Sequence, residues 1–98
     1  MKPPEDCDNI EDVREEIDAL DREIIALIGR RSRYVHAAAS FKKSESSVRA
    51  PERQRAMLDA RRRWAAEENL DPSVVETIFR TLVAYFIQRE MRDWHESR

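Results

Sequence analysis

Glycine is almost absent from this sequence. Gly29 is the single glycine in 98 residues, and of the four prolines two, Pro3 and Pro4, stand near the start. An all-β domain needs turn residues every ten residues or so, which excludes a sandwich or barrel and leaves helices. Cysteine occurs once, as Cys7, so there is no disulfide framework and no cysteine-based zinc site, which fits a reducing cytoplasm. Long apolar runs are missing too. The charged N-terminus lacks the apolar segment of a signal peptide and no stretch is long enough for a membrane span, so the sequence predicts a cytoplasmic protein without a membrane partner. No Gly-rich phosphate loop exists, and His36 and His95 lack partners at metal-ligand spacing or a nucleophile beside them; no metal and no cofactor are expected.

What remains is charge and aliphatic side chain. Hydrophobic residues make up 41% and charged residues 39%, enough to form a packed interior and to exclude disorder. The length suits one domain, residues 1–98. The net charge of −2 opposes a nucleic-acid partner. The cations are lopsided, because among eighteen basic residues only Lys2, Lys42 and Lys43 are lysines. Arginine is the residue of bidentate carboxylate or phosphate recognition, although exposed guanidiniums on charged helices are also ordinary. The run Arg61–Arg63 reads as a solvated helix face.

Apolar positions at Ile10, Val13, Ile17, Leu20, Ile24, Leu27, Val35 and Ala38 keep a 3,4 spacing and predict a long first helix with Asn9 as N-cap, fading at Phe41. Residues 1–9 precede it as a tail. From Asp12 to Ser40 such a helix rises about 43 Å, against a radius of gyration of about 13 Å for a compact domain of this size. Two shorter helices could cover only part of that stripe, which predicts an intertwined homodimer sharing a core, unless the long helix breaks at Gly29. The second helix starts at Pro51 and stops at Asn69, with Met57, Leu58, Arg61, Trp64 and Ala65 on its inner edge. Asp71 and Pro72 start the third, whose stripe is Val75, Ile78, Phe79, Leu82, Phe86, Ile87, Met91 and Trp94. Residues 43–50 read as a mobile polar loop. The fold class is all-α, a three-helix subunit.

Five polar residues interrupt this pattern. Counting from Ile17 through Leu27 lands on Arg31, a guanidinium in a core slot that needs an anionic partner from protein or ligand. Lys42, eleven residues on, projects from nearly the same face if the helix persists, with about 16 Å between the two Cα atoms and room for a small dianion; an ordinary helix-end cation is the alternative. Arg14 lies about 25 Å along the axis from Arg31, so it reaches such a ligand only from an antiparallel partner, or it pairs with Asp18. Arg53 sits in a first helical turn, where the dipole opposes a cation unless an anion, Glu52 or solvent compensates. Glu90 places a carboxyl on the apolar face of the third helix or at its edge. Burial raises such a pKa and a neighbouring cation lowers it.

These residues, with Pro-Glu-Asp-Cys at 4–7, Val-Arg-Glu at 13–15, Gly-Arg-Arg at 29–31, Phe-Lys at 41–42, Ala-Pro-Glu-Arg at 50–53 and Arg-Trp-Ala at 63–65, carry a resemblance over almost the whole chain. It resembles the isochorismate pyruvate lyases of salicylate and siderophore synthesis, relatives of the all-helical chorismate mutases. The resemblance implies an intertwined dimer binding a small dicarboxylate, isochorismate or chorismate. Arg31 and the partner's Arg14 would hold its carboxylates, Lys42 would approach the ether oxygen that is cleaved, and Arg53 would complete the cationic pocket. Val35, Ala38 and Ile87 would line it, and the 43–50 segment would act as a lid. A pericyclic elimination needs no metal, cofactor or nucleophile.

Two positions bear on the choice of reaction. Mutases of this class carry a glutamate on the second helix where this chain has Gln54, which favours the lyase. The lyases carry a glutamine where this chain has Glu90, so Glu90 must be protonated to donate to a dianion. A chorismate mutase, a mutase of an amino analogue of chorismate, and a non-enzymatic helical dimerisation module are the other readings.

Overall fold

The structure, a computed structural model, describes residues 2–96. Met1 of the expected tail, and Ser97 and Arg98 at the end of the expected domain, lie outside the described residues. Two compact units divide the chain, one up to Tyr34 and one from Val35 onward. The described residues are helical apart from short connections. Four α-helices run in the order α1 (Ile10–Ala38), α2 (Glu45–Arg49), α3 (Pro51–Glu67) and α4 (Pro72–Glu96), with 3-10 turns at Pro4–Asp6 and Ala39–Phe41.

The helix α1 begins where its cap predicts. The Asn9 side-chain oxygen accepts from the Asp12 backbone N–H at 2.9 Å, and Glu11 and Asp12 favour the positive end of the dipole. Its apolar stripe is not covered. Ile10 is 57% exposed, and Ile17, Leu20, Ile24 and Leu27 are exposed as well; no residue of α1 is buried. A helix carrying that stripe in water forgoes most of the burial that normally stabilises it.

The first helix ends sooner than its pattern suggests. After Ala38 the chain tightens into the 3-10 turn, and Lys42 is extended at φ −85°, ψ 138°. The expectation that Lys42 continues the helical face of Arg31 is therefore corrected, since the ladder that would carry the register is broken three residues earlier. The 43–50 segment is corrected too: it is not a loop throughout but contains α2. The Ser44 side chain accepts from the Ser47 backbone N–H, Glu45 stands in the first turn, and Val48 is driven inward to 1% exposure. Burying that valine contributes about 1.5–3 kcal/mol, which holds a helix too short to stand alone.

The prolines start the two remaining long helices, because each fixes a helical φ at a position whose N–H has no intrahelical acceptor. Asn69, at φ 60°, terminates α3, and the Leu70 N–H reaches back to the Ala65 carbonyl at 2.8 Å. From Val35 onward the core consists of Ala39, Val48, Met57, Leu58, Ala65, Phe86 and Trp94. Trp64 and Ile78, expected on inner faces, are half exposed. The Arg61 guanidinium lies 4.8 Å from the Trp64 ring centroid and 5.5 Å from that of Phe79, so its apolar stem and flat cation complete the α3–α4 seam. Across the same helix pair Glu76 accepts from Arg62 at 2.9 Å, and within α4 it accepts from Arg80 at 2.8 Å.

Between α2 and α3 a single residue, Ala50, turns the chain in the left-handed region at φ 40°, ψ 63°. A Cβ is costly there, by about 1 kcal/mol, and glycine has none. Ala50→Gly should raise the unfolding free energy in urea by about 0.5 kcal/mol; a clear loss of stability would show that the joint is not strained.

Candidate functional site

The sequence-predicted site residues fall into two sets. Arg14 and Arg31 belong to the first unit, seventeen positions apart on one helix, so their axial separation of about 25 Å keeps one chain from gripping a small molecule with both. Arg31 is half-buried, as its core slot requires. Arg14 is exposed and its guanidinium pairs with Glu11 at 3.0 Å rather than with Asp18. Such an exposed pair contributes little and is readily exchanged for another anion.

The second set is Val35, Ala38, Lys42, Arg53, Ile87 and Glu90. The fold brings Lys42 and Glu90 together. Lys42 Nζ stands 3.8 Å from Glu90 Oε1, and the lysine side chain is a quarter exposed while the carboxyl is almost wholly buried. Val35, Ala38 and Ile87 are half-buried, whereas Arg53 is exposed in the first turn of α3. The surface-edge alternative for Glu90 is overturned, because at 6% exposure it is a core residue in all but chemistry.

Three contacts that periodicity could not reveal hold Lys42 in place. Its ammonium donates to the Ser47 carbonyl of α2 at 2.9 Å, and its own carbonyl accepts from the Trp94 indole N–H of α4 at 3.0 Å. The third lies just beyond it, where His95 Nε2 meets Glu45 Oε1 at 3.0 Å. Thus α4 grips both sides of residue 42, by backbone and through α2. On the same helix Asp93 meets His36 Nδ1 at 2.9 Å. The only sequence signal for these partners was the Ser44–Ser47 spacing of a short capped helix, hidden by its polar composition.

The electrostatics of the pair are set by burial. Desolvation pushes the Glu90 pKa above the usual carboxyl value; the Lys42 ammonium opposes this and the nearby Asp93 charge reinforces it. At 3.8 Å the ammonium is outside hydrogen-bond reach, and Glu90 Oε1 is buried without a hydrogen-bond partner. A protonated Glu90 supplies an O–H donor there, and Lys42 supplies a fixed positive charge beside it. Together they suit an oxygen that gains negative charge. Among the described residues no helix is long and apolar enough to cross a membrane.

Residues 13–91 match the pattern of chorismate mutase type II. The whole chain is similar to the isochorismate pyruvate lyase of Pseudomonas aeruginosa, at 45% identity over 98 residues and 97% of that protein. A further similarity, 38% over 72 residues, is to the T-protein of Haemophilus influenzae, of which it spans 19%.

The buried carboxyl makes a prediction about stability. A folded pKa above the unfolded one contributes stability that is complete below the ordinary carboxyl value and lost as pH rises through the raised pKa. Urea unfolding across that range should show the wild type losing stability relative to Glu90→Gln as pH rises; a constant difference would mean that Glu90 ionises without penalty.

Proposed function

Because the chain belongs to the chorismate mutase type II family, we propose that it is an isochorismate pyruvate lyase, which eliminates pyruvate from isochorismate to leave salicylate. The observation that carries this reading is the Lys42–Glu90 pair, a held ammonium beside a buried carboxyl in a chain similar to a lyase along its full length. A weak chorismate mutase activity accompanies it, since one pocket accepts either isomer and the family is named for the mutase.

The reaction is a pericyclic elimination. Hydrogen moves from the ring to the enolpyruvyl methylene as the C–O bond breaks, so the chain supplies no nucleophile and no net proton transfer. Arg31 and Arg14 of the partner subunit hold the carboxylates, Arg53 adds positive charge, and Val35, Ala38 and Ile87 press the substrate into a reactive conformer. Lys42 faces the departing ether oxygen and protonated Glu90 donates to it. Holding the conformer and stabilising that oxygen by fixed charge are each worth several kcal/mol.

A homodimer is part of this proposal. The exposed stripe from Ile10 to Leu27 supports it, because a second copy offers a like surface that buries both stripes, and it supplies Arg14. We place the enzyme in the cytoplasm, where a single cysteine stays reduced.

The decisive experiment offers isochorismate and chorismate separately to the purified protein and follows salicylate fluorescence and prephenate formation. Salicylate from isochorismate is expected, with Arg31→Ala and Lys42→Ala each reducing conversion by about 10²–10³-fold. Main production of prephenate would make it a mutase, and no turnover of either a dimerisation module. Conversion should also fall as pH rises through the Glu90 pKa, and Glu90→Gln should flatten that profile; a Gln variant with the same alkaline loss rejects the donor role. Sedimentation should give twice the chain mass at micromolar concentration, and a monomer that still turns over would overturn the shared site.

A further inference from the structure

A cavity of about 370 Å³ opens between α2, α3 and α4, within the second unit. Met57, Leu58, Val83 and Ile87 give it an apolar lining, and Arg49 and Gln54 add polar groups to it. Such a hollow, mostly apolar with a few polar groups, suits a small cyclic acid that lays its ring against the apolar lining. Arg80 also borders it, but its guanidinium is already bonded to Glu76, whose pKa is held below the ordinary value by Arg80 and Arg62. Arg80 is thus neutralised by an ionised partner.

Arg49 differs. On a helix the residue four positions earlier is its natural counter-ion, and here that residue is Glu45. Glu45 is turned instead to His95, at 3.0 Å on α4. Among the described residues no carboxylate forms an ion pair with Arg49. The helix that carries it is nevertheless well fixed. Val48 is buried, Ser47 holds the Lys42 ammonium through its carbonyl, and the left-handed Ala50 sets the angle at which α2 leaves for α3. A guanidinium whose local partner is diverted, on an anchored helix at the edge of an apolar hollow, is arranged to receive an external carboxylate bidentately.

We propose that Arg49 joins the guanidinium already assigned to the ring-borne carboxylate of the substrate, with the ring seated against the apolar lining that includes Ile87. The inference rests on the lyase reading for the identity of the acid. It adds to the cations assigned above one that sits four residues before Arg53, on the short helix that also fixes Lys42. Because this contact is made equally in the bound substrate and in the transition state, it acts on affinity rather than on the chemical step.

The test compares Arg49→Ala and Arg49→Lys with the wild type by steady-state conversion of isochorismate, and by calorimetric titration with salicylate, which retains the ring carboxylate. Arg63→Ala, an exposed α3 substitution that removes the same charge, controls for long-range electrostatics. Arg49→Ala should raise KM and the salicylate Kd by roughly tenfold while kcat stays within about threefold, Arg49→Lys should fall between, and Arg63→Ala should leave both unchanged. A wild type that converts isochorismate with KM and Kd indifferent to Arg49→Ala overturns the proposal and leaves the lyase reading intact. If the wild type converts neither isomer, the lyase reading fails, and the salicylate titration alone decides whether Arg49 receives a ring carboxylate. An equal loss in Arg63→Ala assigns the effect to net charge and also overturns it.

Discussion

A carboxyl group placed among apolar side chains must find a proton or a cation, and in this protein Glu90 has both within reach. Burial raises its pKa while the Lys42 ammonium, 3.8 Å away, draws the other way. Much of the surrounding structure exists to keep that lysine where it is. The chain leaves α1 at Ala38, turns once and extends at Lys42, so that its carbonyl accepts from Trp94 and its ammonium donates to the Ser47 carbonyl of α2. The pair is therefore less a salt bridge that stabilises the fold than a charge arrangement that the fold maintains against its own preference for a dry interior.

The two units present opposite cases of the hydrophobic effect. From Val35 onward, three helices close around Val48, Met57, Phe86 and Trp94. Up to Tyr34, the helix displays a row of isoleucines and leucines that stays largely exposed. An apolar stripe of that regularity is a surface specified for something else to cover. The same half of α1 carries Arg14 and Arg31, so the segment that needs a cover is also the one with guanidiniums to share.

Much of this was legible in the sequence. Asn9, Pro51 and the Asp71–Pro72 pair marked the three long helices because capping is a local interaction between neighbours in the chain. Counting threes and fours put Glu90 on the inner face of α4 and Arg31 in a core slot, since periodicity decides which face a residue shares. The end of α1 was not legible: no glycine or proline stands at 38–42, and the extended Lys42 that follows the 3-10 turn has its carbonyl bonded to the distant Trp94 indole. The helix α2 was hidden for a related reason, as its composition is that of a loop and its order comes from burying Val48 against other elements. Partnerships such as His95 with Glu45, fifty residues apart, belong to tertiary packing and leave no trace in spacing.

The placement of the two indoles has a consequence for watching this molecule at work. Trp64 is half exposed under a guanidinium, whereas Trp94 is buried with its N–H committed to residue 42. Their ultraviolet emission is therefore expected to divide into a red, quenchable component from the first and a blue, protected one from the second. The protein carries its own optical gauge of whether the backbone at residue 42 is being held, with no label to attach.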